Sequence, residues 1–182
     1  MKIATIGRGN VGGGLARRWE DAGHEVQRIG RDGGDVADAA VVLLAVPSGA
    51  IEDALRGVGS LDGKVLIDAT NLIDGDPPGG ASSLAEYVKQ ASGATVAKAF
   101  NTVFAALYEE VPGQRVRPSC LYCGEEGAKE RTAQLIRDAG YDPVDAGGLE
   151  NARMLEDFLK LVFAVSAGMG RISYRMARPA DL

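Results

Sequence analysis

The sequence has little of what a metal centre or a disulfide framework needs. Its 182 residues include two cysteines and one histidine, His24. That histidine lies in the turn at 22–25, with no second histidine and no cysteine near it in sequence. A set of four ligands at metal-binding spacing is therefore missing, and we expect no metal site. We interpret His24 as an ordinary turn residue.

Long apolar runs and an excess of positive charge are missing too. No uninterrupted apolar run reaches the roughly 18 residues that a membrane span needs. The first residues also lack the basic and apolar regions of a signal peptide. Twenty Lys and Arg against 25 Asp and Glu give a formal net charge of −5. These features argue against nucleic acid and membranes as partners and favour a cytoplasmic protein.

The two cysteines, Cys120 and Cys123, form a C-x-x-C motif. In thioredoxin-like proteins this motif lies where a strand meets a helix, and the helix N-terminus stabilises the first thiolate. Here both cysteines fall inside a strand-like stretch, 119–123. We favour a buried structural role over a redox role, because a buried cysteine behaves as a small hydrophobic residue.

The strongest signal lies in the first fourteen residues. Lys2–Ile6 is an apolar run rich in β-branched residues, residues 7–12 read GRGNVG, and a helical pattern follows. A strand, a G-x-G-x-x-G turn and a helix form the setting of a dinucleotide-binding fingerprint. Gly7 would permit the tight turn, Gly9 the approach of a pyrophosphate, and Gly12 close packing of helix on strand. The free N–H groups of the helix would then hold the phosphates.

Strand-like and helix-like segments alternate along the whole chain. This pattern predicts an α/β fold of the Rossmann type, a doubly wound and mainly parallel sheet. We expect a single dinucleotide-binding domain over 1–182, with a long C-terminal helix over 150–170. Only residues 32–40 separate Arg31 from the strand predicted over 41–46. A crossover needs at least about ten to twelve residues, so the third edge strand is predicted to be missing and the adenine side of the cofactor open.

The element boundaries follow from apolar runs and turn residues. The predicted strands are Lys2–Ile6, Glu25–Ile29, 41–46, 64–67, Thr95–Ala99, 119–123 and 141–144. After the first helix, further helices are predicted over 51–55, 84–91, 103–110, 129–139 and 150–170. Ser82 is the predicted N-cap of the helix over 84–91, with Glu86 placed to support it.

The end of the second strand is where this fold distinguishes its nucleotides. NAD-binding members usually carry an acid there, and NADP-binding members tend to carry an arginine for the 2′-phosphate. Here Gly30 and Arg31 end the strand, with Arg28 just before them. Asp32 has about the spacing of the NAD acid, but it already lies in the glycine loop. Arg31 therefore favours NADP, while a merely solvated role for both arginines stays open.

Seven short motifs follow one another in a specific order. They read GRGNVG at 7–12, GR at 30–31, LAVP at 44–47, DATN at 68–71, KAFNT at 98–102, CG at 123–124 and DAGGLENAR at 145–153. Together they resemble the deazaflavin (coenzyme F420)-dependent NADP oxidoreductases, over nearly the whole chain. The set is also similar to the reductase domain of the six-transmembrane metalloreductases.

The resemblance implies NADP as the cofactor and coenzyme F420, FMN or FAD as the second substrate. It also implies roles for residues that directly follow predicted strands, where ligands of such sheets bind. At the pyrophosphate these are Arg8, Gly9, Asn10 and Val11; at the 2′-phosphate, Arg31; at the ribose and nicotinamide, Val46, Pro47, Ala69, Thr70 and Asn71; on the acceptor side, Asn101 and Thr102. No catalytic acid or base is expected, because the cofactors supply the chemistry and the protein orients them.

The chain departs from the family in two ways. The missing third strand removes a basic position that usually helps with the 2′-phosphate. Asn101 stands where the deazaflavin-specific enzymes have a histidine, which is closer to the metalloreductase branch. The acceptor is therefore left open between F420 and a flavin.

Two functions from different classes remain open. One is an NADPH-dependent oxidoreductase that transfers a hydride to a deazaflavin or flavin. The other is a non-catalytic NADP(H)-binding module that senses redox state through a partner. An imine or ketone reductase is disfavoured, since such enzymes usually add a helical domain and the residues after Gly148 are too few.

Several features keep two interpretations. Asn101 either orients the carboxamide or acceptor, or caps a following helix. Asp68 is more a capping residue than a base. The loop over 73–80 is a lid or acceptor-selecting wall, or an ordinary surface loop. Residues 158–165 are apolar on nearly every side, which indicates a buried helix packed on its sheet or on a second subunit. We favour a homodimer.

Overall fold

A computed structural model describes residues 1–181 and contains one seven-stranded sheet. Its order is β2-β1-β3-β4-β5-β6-β7. All neighbouring strands are parallel except β5 and β6, which are antiparallel. The strands are β1 (Lys2–Ile6), β2 (Glu25–Ile29), β3 (Val41–Leu44), β4 (Val65–Asp68), β5 (Thr95–Ala99), β6 (Ser119–Gly124) and β7 (Asp142–Asp145).

Helices cover both faces of this sheet, as a doubly wound fold requires. They are α1 (Asn10–Asp21), α2 (Ile51–Arg56), α3 (Leu84–Ser92), α4 (Glu126–Asp138) and α5 (Ala152–Met169). One face packs against α1 and α4 through Trp19 and Leu135, and the other against α2, α3 and α5. β3 and β4 are buried along their whole length, which explains why their sequences are almost continuously apolar. The predicted fold class is confirmed.

The order in which the chain adds strands to the sheet reverses after β2. From β1 the chain first adds β2 on one side and then β3 on the other. Ile6 pairs with both Ile29 and Leu44, so the carboxyl ends of the three strands meet at one point. Residues 30–40 contain no strand, and β2 forms the edge of the sheet. The predicted loss of the third edge strand is confirmed, and this switch point is left open on one side.

The helix predicted over 103–110 is wrong. Two one-turn 3-10 helices, Ala105–Leu107 and Val111–Gly113, stand there instead. The ring of the buried Tyr108 lies against α1, where a Cβ on Gly14 would come within 2.5 Å of it. This tertiary contact fixes the segment in an irregular path that its apolar periodicity does not reveal, and Pro112 could not sit inside a regular helix.

The N-cap of α3 is Ser83, so the prediction of Ser82 is wrong by one residue. The Ser83 hydroxyl accepts a hydrogen bond from the Glu86 amide at 3.1 Å. The Glu86 carboxylate reaches back to the Ser82 amide at 2.6 Å and also accepts from its hydroxyl. Two adjacent serines gave the sequence two equivalent start points, and the structure uses both: Ser83 caps the Glu86 amide, while the Glu86 carboxylate holds Ser82.

Helix α5 follows a one-turn 3-10 helix, Leu149–Asn151, so its bounds are close to the predicted 150–170. It packs through one side, and the outer side of its C-terminal half does not pack on the sheet of its own chain, so packing on a second subunit stays a prediction for that side. Eighteen residues of helix span about 27 Å, more than the four- to six-residue strands beneath them. The apolar side chains left exposed there are Leu161, Phe163, Val165 and Met169. No helix within residues 1–181 has the length and apolar character to cross a bilayer.

Candidate functional site: a dinucleotide cleft at the switch point

The glycine turn between β1 and α1 leaves no room for side chains at two of its positions. Gly7 has φ +105°, and a Cβ there would lie 2.2 Å from the Ala45 carbonyl oxygen. A Cβ on Gly12 would lie 2.0 Å from the Gly7 carbonyl oxygen. At Gly9, by contrast, a Cβ would have nothing within 4 Å of it, so this glycine faces open space. The turn therefore has two structural glycines and one whose small size leaves room for a ligand.

The N-terminus of α1 has no cap from the protein itself. Gly9 is the N-cap residue, no side chain bonds to the first turn, and no acidic residue lies in that turn. The amide of Gly13 is the first to bond within the helix, to the Gly9 carbonyl. The amides of Asn10 and Val11 thus lack helical partners, and the positive end of the helix dipole is uncompensated. Such an end is suited to an anion.

A cleft of about 870 Å³ opens at this switch point. Its volume lies within the roughly 300–1,000 Å³ typical of small-molecule sites. The walls come from three connections: the turn after β1, the loop after β2 and the segment between β3 and α2. They bring together Gly7, Arg8, Gly9, Gly30, Arg31, Asp32, Val46 and Pro47. Two of the predicted pyrophosphate residues, Asn10 and Val11, lie in the first turn of α1 and are not part of the cleft wall.

Two arginines and two aspartates line the cleft, and one of the aspartates, Asp53, is paired with Arg56 at 3.2 Å. The Arg8 guanidinium lies over Gly30, where a Cβ would come within 2.0 Å of it, so the glycine at this strand end makes space for that side chain. Arg31 lines the same cleft. Within the described residues neither has an ion-pair partner, whereas Arg28 is paired with Glu20 at 2.6 Å. The two cleft arginines are therefore available to a ligand, and Arg28 is engaged elsewhere.

The second group of predicted residues follows β4 and β5, and none of them lines the cleft. Ala69, Thr70, Asn101 and Thr102 are buried, and Asn71 is half-buried. The side-chain amide of Asn71 donates to the backbone carbonyl of Asn101 at 2.9 Å. The side-chain amide of Asn101 donates back to the side-chain oxygen of Asn71 at 3.0 Å. These reciprocal bonds tie the ends of the two strands together. No α-helix begins directly after Asn101, so the helix-capping interpretation is wrong.

Two of these side chains have buried oxygens without a partner in the described part of the chain: Thr70 Oγ1 and Asn101 Oδ1. Buried polar atoms are nearly always hydrogen-bonded in folded proteins.

The backbone of Phe100, the residue before Asn101, is also unusual, because it has φ +62° and Phe100 is not a glycine. Its ring is buried against Trp19 in an edge-to-face contact at 5.9 Å. Backbone strain of this kind is found at functional sites more often than elsewhere.

Thr102 is turned toward the C-terminal tail. Its hydroxyl lies 2.6 Å from the Tyr174 hydroxyl. The Tyr174 carbonyl accepts from the Ser119 amide, and the Tyr174 ring packs edge-to-face on Phe158 of α5. The tail after α5 thus returns to the sheet and closes over Thr102. Nothing in the sequence pattern pointed to Tyr174.

No role was predicted for Lys98, although it lies in the KAFNT motif. It is fully buried and lies 2.8 Å from Asp68 and 2.9 Å from Glu156. Asp68 was predicted to cap, and its other oxygen does accept the Thr70 amide at 2.8 Å, but its ion pair with Lys98 was not foreseen. The available signal was a single charge inside the otherwise uncharged strand β5.

The cysteines and the histidine take no part in the cleft. Cys120 and Cys123 are free and buried on opposite faces of β6, in separate halves of the core. Burial raises the pKa of each thiol to about 12, so neither is a thiolate near neutral pH. His24 lies 3.0 Å from the Met1 ammonium through Nδ1 and 2.8 Å from the Asp138 carboxylate through Nε2. It therefore links the turn after α1 to the first residue of the chain and to the end of α4.

Fold and cleft together define a dinucleotide-binding protein of the Rossmann class. Comparison with known proteins makes the class more specific, although no profile of a known protein family matches the chain. An F420-dependent NADP reductase from Methanothermobacter thermautotrophicus is 34% identical, over 89% of this chain and 88% of the relative. A relative of the same name from Methanothermobacter marburgensis is 33% identical over similar shares. The chain belongs to the family of the F420-dependent NADP reductases, and the predicted family is confirmed.

Other similarities agree with this family. The rat metalloreductase STEAP3 is 35% identical over 53% of this chain, which corresponds to only 20% of that protein. A solved structure from Arthrobacter, described as a candidate F420-dependent NADP reductase, superposes with a TM-score of 0.81 at 27% identity. It covers 98% of this chain and 100% of its own. A reductive aminase from Aspergillus terreus, at 17% identity and a TM-score of 0.68, shares the fold alone.

Proposed function

We propose that the protein transfers a hydride between NADP(H) and a deazaflavin or flavin. The deazaflavin coenzyme F420 is the first candidate, and the flavins FMN and FAD are the alternatives. Its family makes it an NADP-dependent oxidoreductase, and the acceptor is the part that we propose. The observation that carries the proposal is the cleft at the switch point. There, an uncapped helix N-terminus and two arginines without ion-pair partners in the described chain meet at the ends of β1, β2 and β3.

The phosphate groups are proposed to bind at the start of α1. Gly9 gives the pyrophosphate access to the backbone, and the amides of Asn10 and Val11 donate to its oxygens. Arg8 lies beside them, and Arg31 contacts the 2′-phosphate at the end of β2. The adenine would lie beyond Arg31, on the side where the third edge strand is missing. In this arrangement the arginine side chains bind the phosphates, and the adenine is the part of the cofactor that the protein encloses least.

The nicotinamide end is proposed to lie along Val46, Pro47 and residues 69–71. When bound, the nicotinamide supplies the hydride and the acceptor ring takes it up. The chain's own residues orient the two rings and exclude water: the Val46–Pro47 side supplies an apolar surface, and the Asn71–Asn101 pair a rigid polar one. Asn101 is proposed to face the acceptor side, and Thr102, whose hydroxyl is held by Tyr174, to support it. Orientation alone is a large contribution to such a step, so no side chain needs to carry a proton.

The alternative is a redox-sensing module that binds NADP(H) without turnover. The experiment is to follow NADPH oxidation by the purified protein with F420, FMN, FAD and a ferric chelate in separate reactions. We expect F420 to give the highest kcat/KM. A higher value with FMN or FAD would assign the protein to a flavin instead. NADPH binding with no oxidation by any acceptor would contradict the reductase and favour the sensor.

We also propose that two copies of the chain pair through α5. Met154, Leu161, Val165 and Met169 recur at helical spacing and are exposed, and they carry no charge. An uncharged apolar stripe of this kind is suited to a second copy of itself across a two-fold axis. Sedimentation velocity should therefore give about twice the 19.0 kDa of one chain.

The dimer proposal has a matched pair of variants on the same helix. Leu161→Asp introduces a charge into the stripe and should give a monomer. Lys160→Ala changes a half-exposed residue whose ion pair is with its own neighbour Asp157, and should leave the dimer intact. A monomer at all concentrations in the unmodified protein would contradict the proposal.

A further inference from the structure

One lysine and two carboxylates form a buried ion cluster between β4, β5 and α5. The Lys98 ammonium lies 2.8 Å from Asp68 Oδ2 and 2.9 Å from Glu156 Oε1. None of the three side chains is more than 3% exposed. The ammonium also donates to the Thr70 carbonyl oxygen at 2.6 Å. The ammonium thus has two hydrogen-bond acceptors, Asp68 and Thr70, and Glu156 adds a second ion pair, so Lys98 is held without any ligand.

The fold brings these charges together from three elements. Asp68 and Lys98 are register partners on neighbouring parallel strands, so their side chains leave the same face of the sheet side by side. Glu156 reaches them from the second turn of α5. Its carboxylate also accepts from the Leu84 amide at 3.0 Å, at the first residue of α3. Glu156 therefore compensates the α3 N-terminus and Lys98 at once.

Stability alone does not account for such a cluster. Ions removed from water carry a large desolvation penalty, and apolar side chains of similar volume often serve a core as well or better. What the ions fix here is one short segment. Thr70 is held at its amide by Asp68 and at its carbonyl by Lys98. Asn71 follows directly and is bound to Asn101. The charges thus determine where residues 69–71 lie.

We propose that Lys98 is a positioning residue for the nicotinamide half of NADP(H). It acts through Thr70 and Asn71 and does not touch the cofactor, because it has no exposed surface. Because Glu156 belongs to α5 and contacts Lys98, the position of residues 69–71 also depends on the packing of α5. The inference rests on the proposed function in one respect, since it takes residues 69–71 as the wall of the nicotinamide site. Phosphate binding, at the other end of the cofactor, does not involve this cluster.

The test compares two ligands that differ only in the nicotinamide: NADP⁺ and 2′-phospho-ADP-ribose. Their affinities are measured by calorimetry for the unmodified protein and for the triple variant Asp68→Asn, Lys98→Met, Glu156→Gln. This variant removes all three charges, so no ion is left buried without a partner, and it leaves the Thr70 carbonyl without its donor. We expect the affinity for NADP⁺ to fall about tenfold and that for the fragment to stay within about twofold.

The control is Lys160→Met, one turn away on the exposed side of α5, which should change neither affinity. Equal losses for both ligands in the triple variant would mean a merely structural role and overturn the proposal, as would no loss at all. Equal affinities in the unmodified protein would overturn it too, because the nicotinamide wall would then contribute nothing. Should the triple variant not fold, Glu156→Gln carries the test: about a threefold loss for NADP⁺ alone is expected, and any other pattern overturns it.

These measurements need no electron acceptor. If no deazaflavin or flavin is reduced, the proposed function fails while the two affinities remain measurable. If an acceptor is reduced and the affinities do not separate, only the role of Lys98 fails. The two failures are thereby distinguishable.

Discussion

Gly9→Ala is expected to weaken NADPH binding strongly while the stability of the fold is kept, and Gly12→Ala is expected to lower the stability of the fold. At Gly9 nothing lies within 4 Å of the added methyl group, and φ −75° suits alanine. The folded state should therefore tolerate the change within about 0.5 kcal/mol. The methyl group would occupy the space where the pyrophosphate approaches the backbone. We expect the Kd for NADPH to rise by about 100-fold, which corresponds to roughly 3 kcal/mol.

Gly12→Ala instead places a methyl group 2.0 Å from the Gly7 carbonyl oxygen. That oxygen belongs to backbone, so α1 must shift away from the turn. Overpacking of this kind costs about 1–3 kcal/mol, and we expect the upper end of that range because no flexible side chain can give way. For a chain of this size the melting temperature should fall by about 10 °C.

Both glycine variants can be followed with the protein's own fluorophore. Trp19 is the only tryptophan in the sequence, is fully buried, and donates to the Leu135 carbonyl between α1 and α4. Its emission reports unfolding in urea, and calorimetry reports NADPH binding. Tight NADPH binding by Gly9→Ala would contradict the assignment of the pyrophosphate to this turn. An unchanged urea midpoint in Gly12→Ala would contradict the close contact of turn and helix.

The elements that the sequence predicted well are those in which local pattern and tertiary role coincide. Lys2–Ile6, Glu25–Ile29 and Thr95–Ala99 have the predicted bounds, and the first two are each ended by a glycine. The short spacing after Arg31 was sufficient to predict the missing edge strand, since chain length limits what a crossover can contain. The glycine turn was recognisable for the same reason: its constraints are local.

What the sequence did not predict depends on contacts between distant segments. Tyr108 holds 103–110 out of a helix only because Gly14, far away in sequence, leaves space for its ring. Lys98 looked like one charge in a strand, and its partner Glu156 arrives from α5. Tyr174 meets Thr102 across 72 residues. No periodicity encodes such pairs, so the polar support of the site's second half became visible only in three dimensions.

Arg31→Ala is expected to weaken NADPH binding by about 30-fold and to leave NADH binding within about twofold. A charge-assisted hydrogen bond to a ligand is worth about 1.5–3 kcal/mol, and only NADPH carries the 2′-phosphate that Arg31 is proposed to contact. Arg31 lines the cleft at the end of β2 and has no ion-pair partner within the described residues, so its removal leaves no protein charge uncompensated. The free energy of unfolding should not change.

Two neighbouring arginines serve as comparisons. Arg28→Ala removes the same charge three residues earlier, within β2, but that side chain is paired with Glu20 at 2.6 Å, so both cofactors should bind as before. Arg8→Ala should weaken NADPH and NADH alike, because the pyrophosphate is common to both. Calorimetry with the two cofactors at one ionic strength measures all three variants.

Equal losses of NADPH and NADH affinity in Arg31→Ala would mean that Arg31 does not read the 2′-phosphate. The remaining candidate for nucleotide choice would then be Asp32, which lines the same cleft and has about the spacing of a ribose-binding acid. In that case Asp32→Ala should weaken NADH binding more than NADPH binding. If Arg31 does contact the 2′-phosphate, Asp32→Ala should have a different effect. Removing the Asp32 carboxylate then takes a negative charge away from beside the 2′-phosphate, and the affinity for NADPH should rise.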